Sequence, residues 1–138
     1  MALIAIEEHW NLSELTAAVK ALPEDRGDAS VVFDEIGDNL ERLGDIGDIG
    51  DARIAAMDTQ GVDLQIISLA PPGTQPLKPA DARALSRRAN DIAAEAVGRH
   101  HARLRALSTL HRGQRLPPLR HQHLPEIDEG NNNDFSAN

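Results

Sequence analysis

Three short apolar runs, separated by stretches with helical spacing, constrain this chain more than any other feature. Residues 3–8, 62–69 and 104–110 are rich in Leu, Ile, Val or Ala and short enough to be strands. Between the second and third runs lies the clearest helical pattern, residues 80–99. There Leu85, Ala89, Ile92, Ala93, Ala96 and Val97 form one stripe, and Arg87, Arg88, Asp91 and Glu95 take the other side. Ahead of the second run, a helix through Arg53, Ile54, Met57 and Asp58 is predicted, with Asp51 as its cap and Gly61 as its stop. Strand, helix, strand, helix, strand is the grammar of a parallel sheet with right-handed crossovers. The expected class is therefore α/β, with about three parallel strands. Aromatics are only 2% of the residues while hydrophobics reach 41%, so the core must be built from Ala, Leu, Ile and Val.

The connections are as informative as the elements. Residues 11–47 form a long acidic stretch in which Leu12, Leu15, Ala18, Val19 and Leu22 recur at helical spacing, with Ser13 as the expected N-cap and Pro23 as a stop. A connection this long suggests a lid or binding loop. The duplication at 45–50, Asp-Ile-Gly twice over, is too short to be a repeat architecture. Residues 70–79 hold four prolines and must be loop. Composition changes near His111: residues 111–125 are rich in His, Arg, Gln, Pro and Leu, and residues 126–138 are acidic and then Asn-rich. Residues 1–110 are expected to form the folded part, and 111–138 a low-order tail; a truncation or a frame-shift would produce the same break.

Several classes of function are disfavoured. The net charge of −8 argues against nucleic acid as the main partner. Acidic side chains crowd the first half of the chain and basic ones the second, the usual behaviour of solvated faces. With no cysteine, disulfides and thiolate metal sites are excluded. No signal-peptide pattern is visible, and no run approaches the roughly 18 apolar residues of a membrane span. A cytoplasmic protein with no membrane partner is the expectation.

Chemistry points to the first strand, Ile-Ala-Ile-Glu-Glu-His-Trp at 4–10. Strict alternation sends Glu7 and His9 to the same side of the strand end. A carboxylate and an imidazole aimed together suit a divalent metal, and active sites of parallel α/β proteins sit at the carboxyl ends of strands. A plain strand-end ion pair is the alternative. Glu8 points the other way and reads as a supporting carboxylate. Trp10 either lines a pocket or packs in the core. Ser68 to Gln75 follow the second strand on the same rim, where Pro71 is a candidate substrate contact, unless the prolines merely stiffen the connection. His100 and His101 suit a helix C-terminus. His121 and His123 lie in the tail without a strand before them, so no native metal role is assigned to them. No phosphate loop or nucleophile elbow is present.

Taken in order, five segments resemble the amidohydrolase-2 family, which includes the non-oxidative decarboxylases of γ-resorcylate and 2,3-dihydroxybenzoate. They are the first strand at 4–10, Asp-Ala-Arg-Ile-Ala-Ala-Met-Asp-Thr-Gln-Gly-Val-Asp at 51–63, Ile-Ile-Ser-Leu-Ala-Pro-Pro-Gly-Thr-Gln at 66–75, Ser-Arg-Arg-Ala-Asn-Asp at 86–91 and Ala-Arg-Leu-Arg-Ala-Leu-Ser-Thr-Leu at 102–110. The resemblance implies a (β/α)8 TIM barrel with one divalent metal, zinc first and manganese or magnesium as alternatives. It maps two ligands onto Glu7 and His9. The family's remaining His and Asp ligands, the Asp also moving the proton, come from later strands, so no catalytic residue is assigned in this chain. Such a barrel takes roughly 250 residues, and nothing after Leu110 resembles its later part. The expected architecture is an N-terminal barrel fragment followed by a disordered tail.

The reaction that the resemblance implies is non-oxidative decarboxylation of a small hydroxylated aromatic carboxylic acid. Metal-dependent hydrolysis of a carbonyl or lactone is the second enzymatic reading. A truncated, non-catalytic chain is the third. Three strands leave two open edges and an uncovered face, so that form is expected to be unstable, aggregation-prone or oligomeric, a homo-oligomer being one of these outcomes.

Overall fold

The structure, a computed structural model, describes residues 2–23 and 47–111. The long acidic connection at 24–46 and the tail at 112–138, with His121 and His123, lie outside the described residues. The elements are β1 (Ile4–Trp10), α1 (Ser13–Lys20), α2 (Asp51–Gln60), β2 (Leu64–Leu69), α3 (Pro79–Arg99) and β3 (Leu104–Ala106). The three strands form one parallel sheet in the order β1-β2-β3, as the pattern of the sequence predicts.

Each helix begins and ends for a local reason, although not always the expected one. Neither Ser13 nor Asp51 is a cap. The caps are Leu12 and Gly50, with no side-chain cap bond at either. The Leu12 carbonyl accepts from the Leu15 and Thr16 amides, while the Ser13 hydroxyl, already inside the helix, donates to Glu14 at 3.0 Å. Asp51 is instead an acid in the first turn of α2, where a negative charge suits the helix dipole. Gly61 does end α2: it adopts φ 70°, the left-handed conformation that costs glycine least, and the Val62 amide closes onto the Met57 carbonyl at 2.9 Å. Pro79 takes the first position of α3, where a missing N–H costs nothing, and Lys78 before it is extended.

One face of the sheet is covered. Side chains paired in register point to the same face of a parallel sheet. Ala5 pairs with Gln65, Glu8 with Ile67 and Trp10 with Leu69, while Leu104 and Ala106 of β3 continue the same rows. This face shares a core with Leu15 and Val19 of α1, Met57 of α2, and Ala89, Ala93 and Ala96 of α3. Small side chains let α3 lie close to the strands, which is how the chain builds a core with so few aromatics. Met57, Ile67 and Leu104 are completely buried, each contributing about 1.5–3 kcal/mol of transfer energy.

No described helix covers the other face, the open face of the described sheet. Ile4, Ile6 and the flanking Leu3 and Leu107 are more than half exposed. Their apolar character, expected of a buried strand, is not satisfied by the described residues. Between Ala5 and Glu8 the register slips: three steps along β1 match two along β2, a β-bulge in which Glu7 has φ 62°. The start of β3 is latched by Arg103, whose guanidinium donates to the Asp63 and Val62 carbonyls at 2.9 Å and to the Asp58 carboxylate at 2.6 Å.

Candidate metal centre

His9 stands at the carboxyl end of β1 and is exposed on the open face. Its partner in register is Ser68 of β2, and parallel pairing brings the two side chains together. Nδ1 of His9 and Oγ of Ser68 are 3.1 Å apart. When Nδ1 carries the proton it donates to Ser68, and the lone pair on Nε2 is left pointing away from the bond. A ligating histidine is commonly fixed in this way through its other nitrogen. The chemistry and exposure of His9 therefore fit a metal ligand.

Glu7 is exposed and is the residue with the left-handed backbone in the bulge. The bulge breaks the alternation, so two-residue spacing alone no longer fixes its direction relative to His9. Among the described residues, no three His, Asp or Glu side chains converge on a point that could hold an ion. His9 and Glu7 are thus two ligand residues at most, fewer than the three protein ligands usual in a catalytic zinc site.

On the covered side the strand end is tied down by charge. Glu8 lies on the face opposite His9, as alternation after the bulge requires, and its carboxylate accepts from Gln65 Nε2 at 3.4 Å. Arg53, in the first turn of α2, donates through Nη1 to Gln65 Oε1 at 3.2 Å, through Nε to the Asp48 carbonyl at 2.8 Å, and through Nη2 to the carbonyl of His9 itself at 3.0 Å. Burial lowers the pKa of Arg53 from its ordinary value, and the negative charges of Glu8 and Asp48 oppose that shift.

Trp10 packs in the core. It is 3% exposed and packs beneath the helices, because it follows His9 and so faces the other way. Pro71 is exposed just beyond β2, at the same end of the sheet as His9. The loop behind it is anchored by a buried bond of 2.9 Å between the Thr74 and Ser86 hydroxyls. His100, next to the end of α3, lies 3.3 Å from the Asp51 carboxylate, and His101 is exposed. A groove of about 250 Å³ between α3 and β3, lined by Asn90, Ala93, Val97 and Leu107 among others, does not include His9 or Glu7. Ser68, expected to open the rim loop, lies within β2, and its bond to His9 is not foreseen by the sequence; Arg53 is placed by the sequence only on a helix. Counting register from the paired strands would have found Ser68; no sequence signal marks Arg53.

Solved structures of similar fold include aromatic-acid decarboxylases. The chain is 32% identical to 5-carboxyvanillate decarboxylase from Novosphingobium aromaticivorans, solved with manganese and 4-hydroxy-3-methoxy-5-nitrobenzoic acid. That match covers 80% of this chain and 34% of the other, with a TM-score of 0.66. It is 29% identical to a dihydroxybenzoic acid decarboxylase from Polaromonas sp. JS666, solved with manganese and 2-nitroresorcinol, over 79% and 30% of the two chains at a TM-score of 0.55. To 2,6-dihydroxybenzoate decarboxylase from Rhizobium it is 27% identical over 80% and 30%, with a TM-score of 0.57. No protein-family model and no curated protein sequence matches the chain. The chain spans about a third of the length of the solved structures it resembles. Its three-stranded parallel sheet with helices corresponds to part of a (β/α)8 barrel, in agreement with the fold expected from the sequence.

Proposed function

We propose that this chain carries the first-strand portion of the metal site of an amidohydrolase-2 type decarboxylase acting on hydroxylated aromatic acids. The observation that carries the reading is His9, held through Nδ1 by Ser68 at the carboxyl end of β1, on the sheet face that no described helix covers. Similarity to decarboxylases solved with manganese supports it. His9 offers Nε2 and Glu7 offers its carboxylate. A divalent ion, when bound, supplies polarisation of the substrate's oxygen atoms. With Nδ1 protonated and donating to Ser68, the imidazole leaves Nε2 free for the ion, and Pro71 flanks the substrate on the rim. The proton that replaces the departing carbon dioxide on the ring comes from an acid outside the described residues. Manganese is the first ion to test and zinc the second, since a mixed nitrogen and oxygen site admits both.

The test is Mn²⁺ titration of the purified chain, followed by electron paramagnetic resonance, with carbon dioxide release from 5-carboxyvanillate and 2,6-dihydroxybenzoate as the second readout. Wild type is expected to bind Mn²⁺ weakly, and His9→Ala and Glu7→Gln each to bind it more weakly still. Equal binding by wild type and His9→Ala would remove the reading.

A further inference from the structure

We infer that Arg53 is a positioning residue for His9: its guanidinium, donating to the His9 carbonyl, fixes the end of β1 and with it the imidazole against Ser68. The metal side of this inference rests on the function proposed above; the positioning itself does not.

The geometry is specific. β1 is an edge strand, with β2 on one side and no described strand on the other. Edge strands leave main-chain groups without a strand partner. Trp10 is held within the ladder, where its carbonyl accepts from the Ala70 amide at 2.8 Å. The His9 carbonyl takes its donor from a side chain instead, Arg53 Nη2 at 3.0 Å. Arg53 is half-buried, and its other bonds anchor it at two independent places, the Asp48 carbonyl ahead of α2 and the Gln65 amide on β2. A planar fork spreads its donors over three nitrogens and so reaches three separated acceptors from a fixed geometry, whereas the donors of a lysine all radiate from one nitrogen. Arg53 thus couples α2, β2 and the backbone of His9 through one rigid group. The coupling matters here because β1 bulges two residues earlier, at Glu7. A bulge weakens the ladder that would otherwise set the direction of the strand end. Gln65 completes the chain by donating to Glu8, so the residue before His9 is held from the same source.

The decisive variant is Arg53→Lys, which keeps the positive charge beside Glu8 and Asp48 and removes the fork; Arg53→Met is its companion, and circular dichroism checks that each folds. The first readout needs no metal. Long-range ¹⁵N–¹H spectra of the His9 imidazole report which nitrogen carries the proton. Wild type is expected to show one dominant tautomer with the proton on Nδ1, and Arg53→Lys a mixture of both. The second readout is Mn²⁺ affinity, expected to fall about tenfold in Arg53→Lys, the lower end of what outer supports of a ligand contribute. A purely structural arginine would lower the melting temperature and leave the tautomer of the folded fraction unchanged. A wild-type tautomer pattern in folded Arg53→Lys overturns the inference, whatever the metal result. Absence of Mn²⁺ binding by wild type would overturn the metal-site reading alone, with the tautomer spectra still deciding the role of Arg53.

Discussion

Replacing Ser68 by alanine isolates the contact on which the candidate centre turns. The change removes one hydroxyl, 3.1 Å from Nδ1 of His9. A hydrogen bond of ordinary length is worth about 0.5–1.5 kcal/mol net. His9 is exposed, so water can replace Ser68 as the partner, and the loss belongs toward the lower end of that range. At 1.4 kcal/mol per factor of ten, the lower half of that range is roughly a 2- to 5-fold loss of Mn²⁺ affinity. Ser68 is half-buried and carries no other described bond, so folding stability should change by no more than about 0.5 kcal/mol. Mn²⁺ titration of wild type, Ser68→Ala and Ser68→Thr measures the effect, the threonine keeping the hydroxyl. Unchanged affinity in Ser68→Ala would refute the role of the hydroxyl in setting the imidazole. A loss well beyond 100-fold would refute it differently, by making Ser68 a direct donor.

Two further predictions concern the scaffold. Met57 is completely buried among strand and helix side chains, and Met57→Ala should cost about 2–5 kcal/mol, read as a lower urea midpoint with an unchanged slope. Glu14 should titrate below the ordinary glutamate range, because its own backbone N–H and then the Ser13 hydroxyl hold the ionised form. Its contribution to stability is therefore present above the unfolded-state pKa and lost as pH falls through the folded value. Carboxyl-carbon NMR on Ser13→Ala should show the Glu14 pKa moving upward.

The elements of this fold were legible because hydrophobic spacing and two breakers set them. Gly61 stops α2 and the proline-rich loop closes before α3, both as local chemistry demands. The caps were not legible: serine and aspartate are strong cap formers, yet Leu12 and Gly50 hold those positions and the polar residues entered the first turn. His9 was legible as a candidate because it ends an apolar run. Its relation to Ser68 depends on register, a property of two strands that neither strand contains alone. Arg53 was invisible for a similar reason, since its acceptors are main-chain groups and an amide at distances of 5 to 44 residues along the chain. Trp10 was left open between pocket and core, and the core won because the strand turns it under the helices.

The extra residue in β1 has an effect out of proportion to its size. Ala5 lies toward the helices. Counting by twos from it would send His9 under the helical layer and turn the indole of Trp10 out to solvent. The insertion at Glu7 resets the phase of the strand by half a period, so that the imidazole emerges and the indole is submerged. Deleting one residue there should invert the strand's last three side chains without altering their order, and imidazole and indole would trade sides by the loss of a single peptide unit.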